Sequence, residues 1–165
     1  LFPLLMPIIC ILKLTGEGEV FYIQERVGQD GKVFGLLKLV TMLKNSPNIG
    51  AGDITIRDDP RVLPFGKFLR KTKINELPQL FNIFFGHMSV VGPRPVMRVS
   101  FEAYPSNVKK VIYNVKPGLT GIGSIIFRDE EKLITNVKNN GGDVWEFYKG
   151  KIYFFWRSSR RSITR

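Results

Sequence analysis

The sequence contains few of the residues that build disulfide bonds and zinc centres. Cys10 is the single cysteine and His87 the single histidine among 165 residues. One cysteine excludes an internal disulfide and is typical of a reducing compartment. One histidine without companions at ligand spacing does not make a zinc site. The sequence also lacks internal repeats, a Walker-type glycine loop and a dinucleotide-binding glycine fingerprint.

Acidic residues are scarce relative to basic ones. The chain has 25 Lys and Arg residues against 14 Asp and Glu residues, which gives a net charge of +11. This excess predicts an anionic partner, which could be nucleic acid, anionic lipid headgroups or a phosphorylated substrate. The length suits one compact domain with a hydrophobic core, so we predict that residues 1–165 form a single domain.

The chain opens on a short apolar run. Residues 1–12 are apolar apart from the helix-disfavouring Pro3 and Pro7, and twelve residues fall short of the roughly 20 that span a bilayer. The run suits part of a re-entrant segment, an interfacial segment or a buried helix. Because the first residue is Leu1 and not Met, we expect a fragment or a processed product.

Local patterns predict a mixed α+β domain. Residues 20–24 are rich in β-branched and aromatic side chains, and Asp30-Gly31 is a strong hairpin turn signal before a return strand over 32–42. Residues 44–61 predict a loop. The remaining predicted elements are a helix from Pro64, a helix from Asn75 to Gly86, helices over 97–114 broken at Pro105, connectors at 92–95 and 116–121, helices over 129–137 and 143–155, and a loose basic tail over 157–165.

The dyad Asn75-Glu76 is the leading candidate site. Asn is a favoured N-cap residue, and a carboxylate suits the positive end of a helix dipole. Arg70, Lys71 and Lys73 lie just before it, and free backbone N–H groups at a helix start attract anions. Glu76 could bind a divalent metal or act as an acid or base. The alternative is that the dyad only begins a helix.

Four further arginine and lysine residues are candidates for phosphate binding. Arg94 lies between two prolines, where a stiff loop suits either a bidentate phosphate contact or a structural salt bridge. Arg26 and Lys38 lie on the two arms of the predicted hairpin and could reach one anion, or could be solvated surface charges. Arg128 opens a charged cluster whose acids also suit an ordinary helix start.

Seven motifs occur in a characteristic order, and together they resemble one family. They are Phe21-x-x-Gln-Glu-Arg-Val-Gly28, Lys38-x-x-Thr-Met42, Asp59-Pro-Arg61, Gly66-Lys-Phe-Leu-Arg-Lys71, Asn75-Glu-Leu-Pro-Gln-Leu80, Met88-Ser-x-Val-Gly-Pro-Arg-Pro95 and Lys116-Pro-Gly-Leu-Thr-Gly121. Over residues 3–131 the chain resembles the bacterial sugar transferases, the monotopic polyprenyl-phosphate phosphoglycosyl transferases.

The resemblance implies an enzyme that moves a sugar 1-phosphate from a UDP-sugar to polyprenyl (undecaprenyl) phosphate and releases UMP. It implies Mg²⁺ and an Asp-Glu dyad whose Asp attacks the β-phosphorus. The implied fold is α+β, mainly helical and membrane-associated, with a small β-hairpin and a re-entrant N-terminal helix, of which residues 1–14 would be the remnant. The implied location is the cytoplasmic face of the bacterial inner membrane, in exopolysaccharide, lipopolysaccharide or glycoconjugate synthesis.

The resemblance also assigns roles by position. Asn75 takes the place of the nucleophilic Asp, and Glu76 takes that of the Glu, where it would also serve the metal. The basic residues expected at the substrate phosphates or nucleotide are Lys38, Arg70, Arg94, Arg26 and Arg128.

The chain departs from the family pattern at three places. Asn75 is neutral where the family has Asp, Val40 stands where an arginine is usual, and His87 replaces an aspartate. An amide cannot serve as a carboxylate nucleophile, so the chain could be impaired, could use Glu76, or could pass the phosphosugar directly to the lipid. The alternatives to catalysis are a membrane-bound protein that holds a sugar nucleotide or serves as a scaffold, and a nucleic-acid binder. The sequence lacks the motifs of the last class.

Overall fold

The structure, a computed structural model, describes residues 2–49, 55, 58–102, 104–121, 130–143, 146–147 and 150. The chain divides into two compact units. The first unit comprises Leu1–Gln24 and Gly35–Asn82, and the second comprises Glu25–Phe34 and Ile83–Arg165. The elements are α1 (Phe2–Thr15), β1 (Phe21–Val27), β2 (Val33–Leu39), α2 (Pro64–Thr72), α3 (Gln79–Phe84), β3 (Ser89–Val91), α4 (Arg98–Glu102), α5 (Ser106–Tyr113), β4 (Gly118–Thr120) and α6 (Glu130–Asn139).

The apolar run at the start of the chain forms α1, whose buried face supplies part of the first unit's core. Leu5, Ile8 and Leu12 recur at helical spacing and are all buried. They pack in one cluster with Leu39 of β2 and Leu69 of α2. Met6, Ile11 and Leu14 of α1 are exposed, while Ile9 is partly buried against the cluster. Among the residues that the structure describes, no helix is long and apolar enough to cross a membrane.

The hairpin prediction is confirmed. β1 and β2 pair in a two-stranded sheet, and a short 3-10 turn at Gln29–Gly31 joins them. Asp30 and Gly31 have φ angles of 57° and 69°, the left-handed conformation that an Asp-Gly turn favours. The mixed α+β fold class is therefore confirmed, while the re-entrant helix and membrane association stay predictions.

The helix predicted from Pro64 is confirmed as α2, but the prediction that a second helix begins at Asn75 is wrong. Residues Ile74–Glu76 form a 3-10 turn, and α3 begins only at Gln79. Pro78 has no N–H, so the helical hydrogen bond to the carbonyl of Ile74 cannot form. That carbonyl accepts from the N–H of Leu77 instead, at 3.0 Å.

The connector predicted at 116–121 contains a strand. β4 pairs with β3 in parallel, with Ser89 opposite Gly118 and Val91 opposite Thr120. The N–H of Ser89 donates to the carbonyl of Pro117 at 2.8 Å. Two three-residue strands are too short to show an alternating pattern, so the sequence could not reveal this pair.

The remaining helix predictions are confirmed where the structure describes them. α4 and α5 lie on either side of the predicted break at Pro105, within the range predicted over 97–114, and α6 matches the helix predicted over 129–137. Arg128, the tail over 157–165 and most of the helix predicted over 143–155 lie outside the described residues.

Candidate functional site

The Asn75-Glu76 dyad is positioned by a sharp reversal at the end of α2. Lys73 adopts a left-handed conformation with φ 61°, and its N–H donates to the carbonyl of Arg70 at 3.2 Å. The N–H of Glu76 then donates to the carbonyl of Lys73 at 3.1 Å. Ile74 anchors the turn by packing against the core cluster. The reversal brings the dyad beside α2, the helix that carries Arg70 in its last turn.

Asn75 is buried in an unusual way. Asn75 is only 8% exposed. Its Oδ1 atom has no hydrogen-bond partner among the residues that the structure describes. A buried acceptor without a partner costs about 1–3 kcal/mol. Such an atom is suited to a cation or to a donor group of a bound molecule.

Glu76 is half-buried, and its carboxylate forms no hydrogen bond or ion pair with the described residues. The described part of the chain also contains no group of three His, Cys, Asp or Glu side chains that could hold a metal ion. The described residues therefore show no site in which protein side chains alone would coordinate a metal ion. The half-buried carboxylate of Glu76 alone is compatible with Mg²⁺, because this ion is often held by one or two carboxylates together with substrate phosphates and water, and metal binding stays a prediction.

Two of the predicted phosphate-binding residues belong to the same unit as the dyad. Arg70 is half-buried, and its Nη1 lies 3.8 Å from the Sδ atom of Met42. Lys38 lies on β2 and is also half-buried, and its Nζ donates to Oε1 of Gln24 at 3.2 Å. In each of these two contacts the cation donates to an uncharged acceptor, a thioether for Arg70 and an amide oxygen for Lys38.

The other candidates belong to the second unit. Arg26 lies on β1, and Arg94 lies exposed on the loop between β3 and α4. That loop is fixed by β4, because the N–H of Gly118 donates to the carbonyl of Pro93 at 2.9 Å. A Cβ on Gly92 would lie 2.6 Å from the carbonyl oxygen of Lys116, so only glycine fits there. These contacts hold the loop against β4, while its stiffness and anion binding by Arg26 and Arg94 stay predictions.

The sequence reasoning assigned no role to the pair Asp59 and Arg61, which the structure shows as a buried ion pair. Nη2 of Arg61 lies 2.6 Å from Oδ2 of Asp59, and both residues are 3% exposed. The available signal was an acid and a base on either side of Pro60, inside one of the ordered motifs. Buried charges are rare unless they are paired. The burial of Asp59 and Arg61 marks them as a structurally important pair, and burial cannot be read from the sequence.

Comparison with known proteins identifies the family to which this chain belongs. The chain matches the family model described as bacterial sugar transferase over residues 1–145, and it therefore belongs to that family. The resemblance drawn from the ordered motifs is confirmed.

Individual relatives include the exopolysaccharide production protein ExoY of Sinorhizobium fredii, which is 35% identical over 151 residues covering 83% of this chain and 66% of the relative. The UDP-galactose-lipid carrier transferase of Erwinia amylovora is 36% identical, with 83% of this chain and 31% of the relative covered. The UDP-glucose:undecaprenyl-phosphate glucose-1-phosphate transferase of Klebsiella pneumoniae is 40% identical over 127 residues, which cover 74% and 27%. The chain thus spans about two thirds of the first relative and less than a third of the other two.

Proposed function

We propose that this chain transfers a sugar 1-phosphate from a UDP-sugar to polyprenyl phosphate and releases UMP, as the first membrane step of a bacterial glycan pathway. The observation that carries the proposal is that, among the residues the structure describes, the buried Oδ1 of Asn75 and the carboxylate of the adjacent Glu76 have no hydrogen-bond or ion-pair partner. Membership of the bacterial sugar transferase family and the names of the Klebsiella and Erwinia relatives support the same substrates.

The basic residues have an electrostatic role in this proposal. Phosphoryl transfer depends mainly on positioning and on neutralising charge around the reacting phosphorus. Arg70 offers a planar guanidinium and Lys38 a point charge to the diphosphate of the UDP-sugar. Glu76 would hold Mg²⁺, and the bound ion would supply further positive charge at the diphosphate.

The missing carboxylate at Asn75 limits the choice of nucleophile. An amide oxygen carries no full negative charge, so Asn75 does not form the enzyme-linked phosphosugar that an aspartate would form. Two routes remain. In the first, a Glu76 carboxylate oxygen bonds to the β-phosphorus, and an oxygen of the lipid phosphate then bonds to that phosphorus and displaces the Glu76 carboxylate. In the second, an oxygen of the lipid phosphate bonds to it directly. In both routes the bond from the β-phosphorus to the bridging oxygen breaks, and UMP leaves with the electron pair.

The neutral Asn75 also favours a second candidate function. In this alternative the chain binds the UDP-sugar, and turnover is lost with the aspartate. The protein would then hold a sugar nucleotide, or act as a scaffold at the membrane. Retained binding without UMP release distinguishes this function from catalysis.

One set of assays separates these possibilities. The full-length protein in detergent or membranes is incubated with Mg²⁺ and a UDP-sugar labelled in the sugar and β-phosphate, with and without undecaprenyl phosphate. A labelled protein adduct that is lost in Glu76→Gln supports attack by Glu76. UMP release that requires the lipid, with no adduct at any time, supports direct transfer.

The Asn75→Asp variant tests the second candidate in the same assays. If the original protein binds UDP-sugar but releases no UMP, and Asn75→Asp restores release, the chain is a disabled transferase. Asn136→Asp adds the same charge at an exposed position of α6 and serves as the control. A protein that neither binds UDP-sugar nor releases UMP in any of these forms would contradict both functions.

We also propose that the protein lies on the cytoplasmic face of the bacterial inner membrane. The support is a group of exposed aromatic side chains at α3 and just beyond it. Phe81 is 44% exposed, Phe84 82% and Phe85 66%, and the last two rings lie edge to face with centroids 5.4 Å apart. Exposed aromatic side chains together with a net charge of +11 suit an anionic lipid surface.

A further inference from the structure

The buried pair Asp59–Arg61 has more hydrogen bonds than an ion pair needs. Besides the 2.6 Å contact already described, Nε of Arg61 donates to Oδ1 of Asp59 at 2.9 Å, and the backbone N–H of Arg61 donates to the same oxygen at 3.0 Å. Burying two charges is costly unless their hydrogen bonds are satisfied. Three donors on one carboxylate lock the orientation of the guanidinium.

The guanidinium of Arg61 also binds the segment that contains Ser46 and Ile49. Nη1 of Arg61 donates to the backbone carbonyls of Ser46 and Ile49, at 2.8 Å each. The carbonyl of Arg61 in turn accepts from the N–H of Leu43 at 2.9 Å. Arg61 therefore holds the segment that follows Met42 by hydrogen bonds from its side chain and to its backbone carbonyl.

The segment held by Arg61 begins next to Met42, which contacts Arg70. Met42 forms an isolated antiparallel bridge with Val62, the residue after Arg61. The N–H of Leu63 donates to the carbonyl of Thr41 at 3.0 Å. Met42 is thus fixed between two anchored neighbours, and its Sδ atom lies 3.8 Å from Nη1 of Arg70. All of these residues belong to the first unit.

We propose that Asp59 and Arg61 are positioning residues for Arg70. They fix the segment through Met42 so that its thioether holds the Arg70 guanidinium in the orientation that binds substrate phosphate. A thioether is a weak acceptor without charge, so this contact can orient Arg70 and does not itself offset the positive charge of the guanidinium. The inference rests on the proposed function, since Arg70 has a phosphate to bind only if the chain takes a UDP-sugar.

The test is a double-mutant cycle read out by the dissociation constant of UDP, measured by titration calorimetry on the full-length protein in detergent with Mg²⁺. Met42→Leu keeps the volume and removes the sulfur, and Arg61→Lys keeps the charge and removes the bidentate contact. We expect each change to weaken UDP binding about threefold to tenfold, within the range seen for coupled neighbours. In an Arg70→Gln background, we expect neither change to weaken binding further.

A merely structural role would give a different result. If Arg61→Lys and Met42→Leu weakened UDP binding by the same factor with and without Arg70, the positioning role would be overturned, and the proposed function would stand. Should Arg61→Lys fail to unfold cooperatively, Met42→Leu carries the test, because it preserves volume at a half-buried position. The control, Lys67→Gln, removes an exposed charge from the same helix and is expected to bind UDP normally.

The two proposals fail in distinguishable ways. If Arg70→Gln bound UDP as tightly as the original protein, Arg70 would not be a phosphate ligand, and this inference would be overturned with that role. If Arg70→Gln weakened UDP binding while the cycle stayed additive, only the inference about Asp59 and Arg61 would be overturned.

Discussion

Gly66 of α2 lies directly against the backbone of Thr41, in the segment that continues β2. A Cβ on Gly66 would meet the backbone oxygen of Thr41, and it would lie 2.9 Å from the carbonyl carbon and the Cα of the same residue. The helix that carries Arg70 can therefore approach this segment only because residue 66 has no side chain.

We predict that Gly66→Ala destabilises the protein. Overpacking typically costs about 1–3 kcal/mol, which outweighs the gain of up to about 1 kcal/mol that alanine offers over glycine inside a helix. Urea unfolding followed by circular dichroism measures the change. Lys67→Ala, at the next and exposed position, is the control. A Gly66→Ala protein as stable as the original would show that the contact with Thr41 relaxes at no cost.

Asn82 is predicted to be a stabilising link between α3 and β2. Its Nδ2 donates to the carbonyl of Gly35 at 2.7 Å, and its Oδ1 accepts from the N–H of Leu37 at 3.0 Å. Asn82→Ala leaves both backbone groups unpaired, so we expect a loss of about 1–3 kcal/mol. The exposed Asn136→Ala should change the free energy of unfolding by about 0.5 kcal/mol or less. Equal effects of the two changes in urea unfolding would contradict the role of Asn82.

Lys44 provides a prediction for alkaline pH. Its ammonium lies 2.6 Å from a carboxylate oxygen of Glu19, and the hydrogen bond and charge of Glu19 raise the pKa of Lys44 above its ordinary value of 10.5. A raised pKa in the folded state means that the pair stabilises the protein below pH 10.5 and loses that contribution as the pH rises through the folded pKa.

The measurement is a titration of Lys44 by NMR in the original protein and in Glu19→Gln. We expect the midpoint to fall in the variant, because the neutral amide no longer stabilises the ammonium. Since the pair is exposed, the stability difference between the two proteins should be small at neutral pH and should shrink further above the folded pKa. An unchanged midpoint would show that Glu19 does not hold Lys44 in solution.

Phe84 and Phe85 are predicted to contribute to membrane binding. Replacing both with serine should reduce partition onto vesicles that contain anionic lipid by about tenfold or more, since burial of one such side chain is worth about 1.5–3 kcal/mol. Vesicle co-sedimentation measures the change. Val99→Ser, at a position 65% exposed on α4, tests whether any exposed apolar residue has the same effect. Equal partition of the double variant and the original protein would contradict the proposed membrane face.

The predictions that succeeded rest on local signals. The Asp30-Gly31 turn and α2 were correctly predicted because a few adjacent residues determine those conformations. The second helix starts four residues later than predicted, because the missing N–H of Pro78 outweighs the favourable N-cap chemistry of Asn75. β4 was missed because its partner β3 lies 29 residues earlier in the chain, and no local pattern reports such a pairing.

The sequence by itself determined the family, the excess of positive charge and the replacement of the expected aspartate by Asn75, because these depend only on which residues occur and in what order. The tertiary structure alone decided that the oxygen of Asn75 is buried with no partner in the described part of the chain, and that Asp59 and Arg61 form a buried pair. Burial and hydrogen-bond partners depend on chain segments that meet only in the folded state. For that reason the identities of the dyad residues were readable from the sequence, and the contact between Met42 and Arg70 was not.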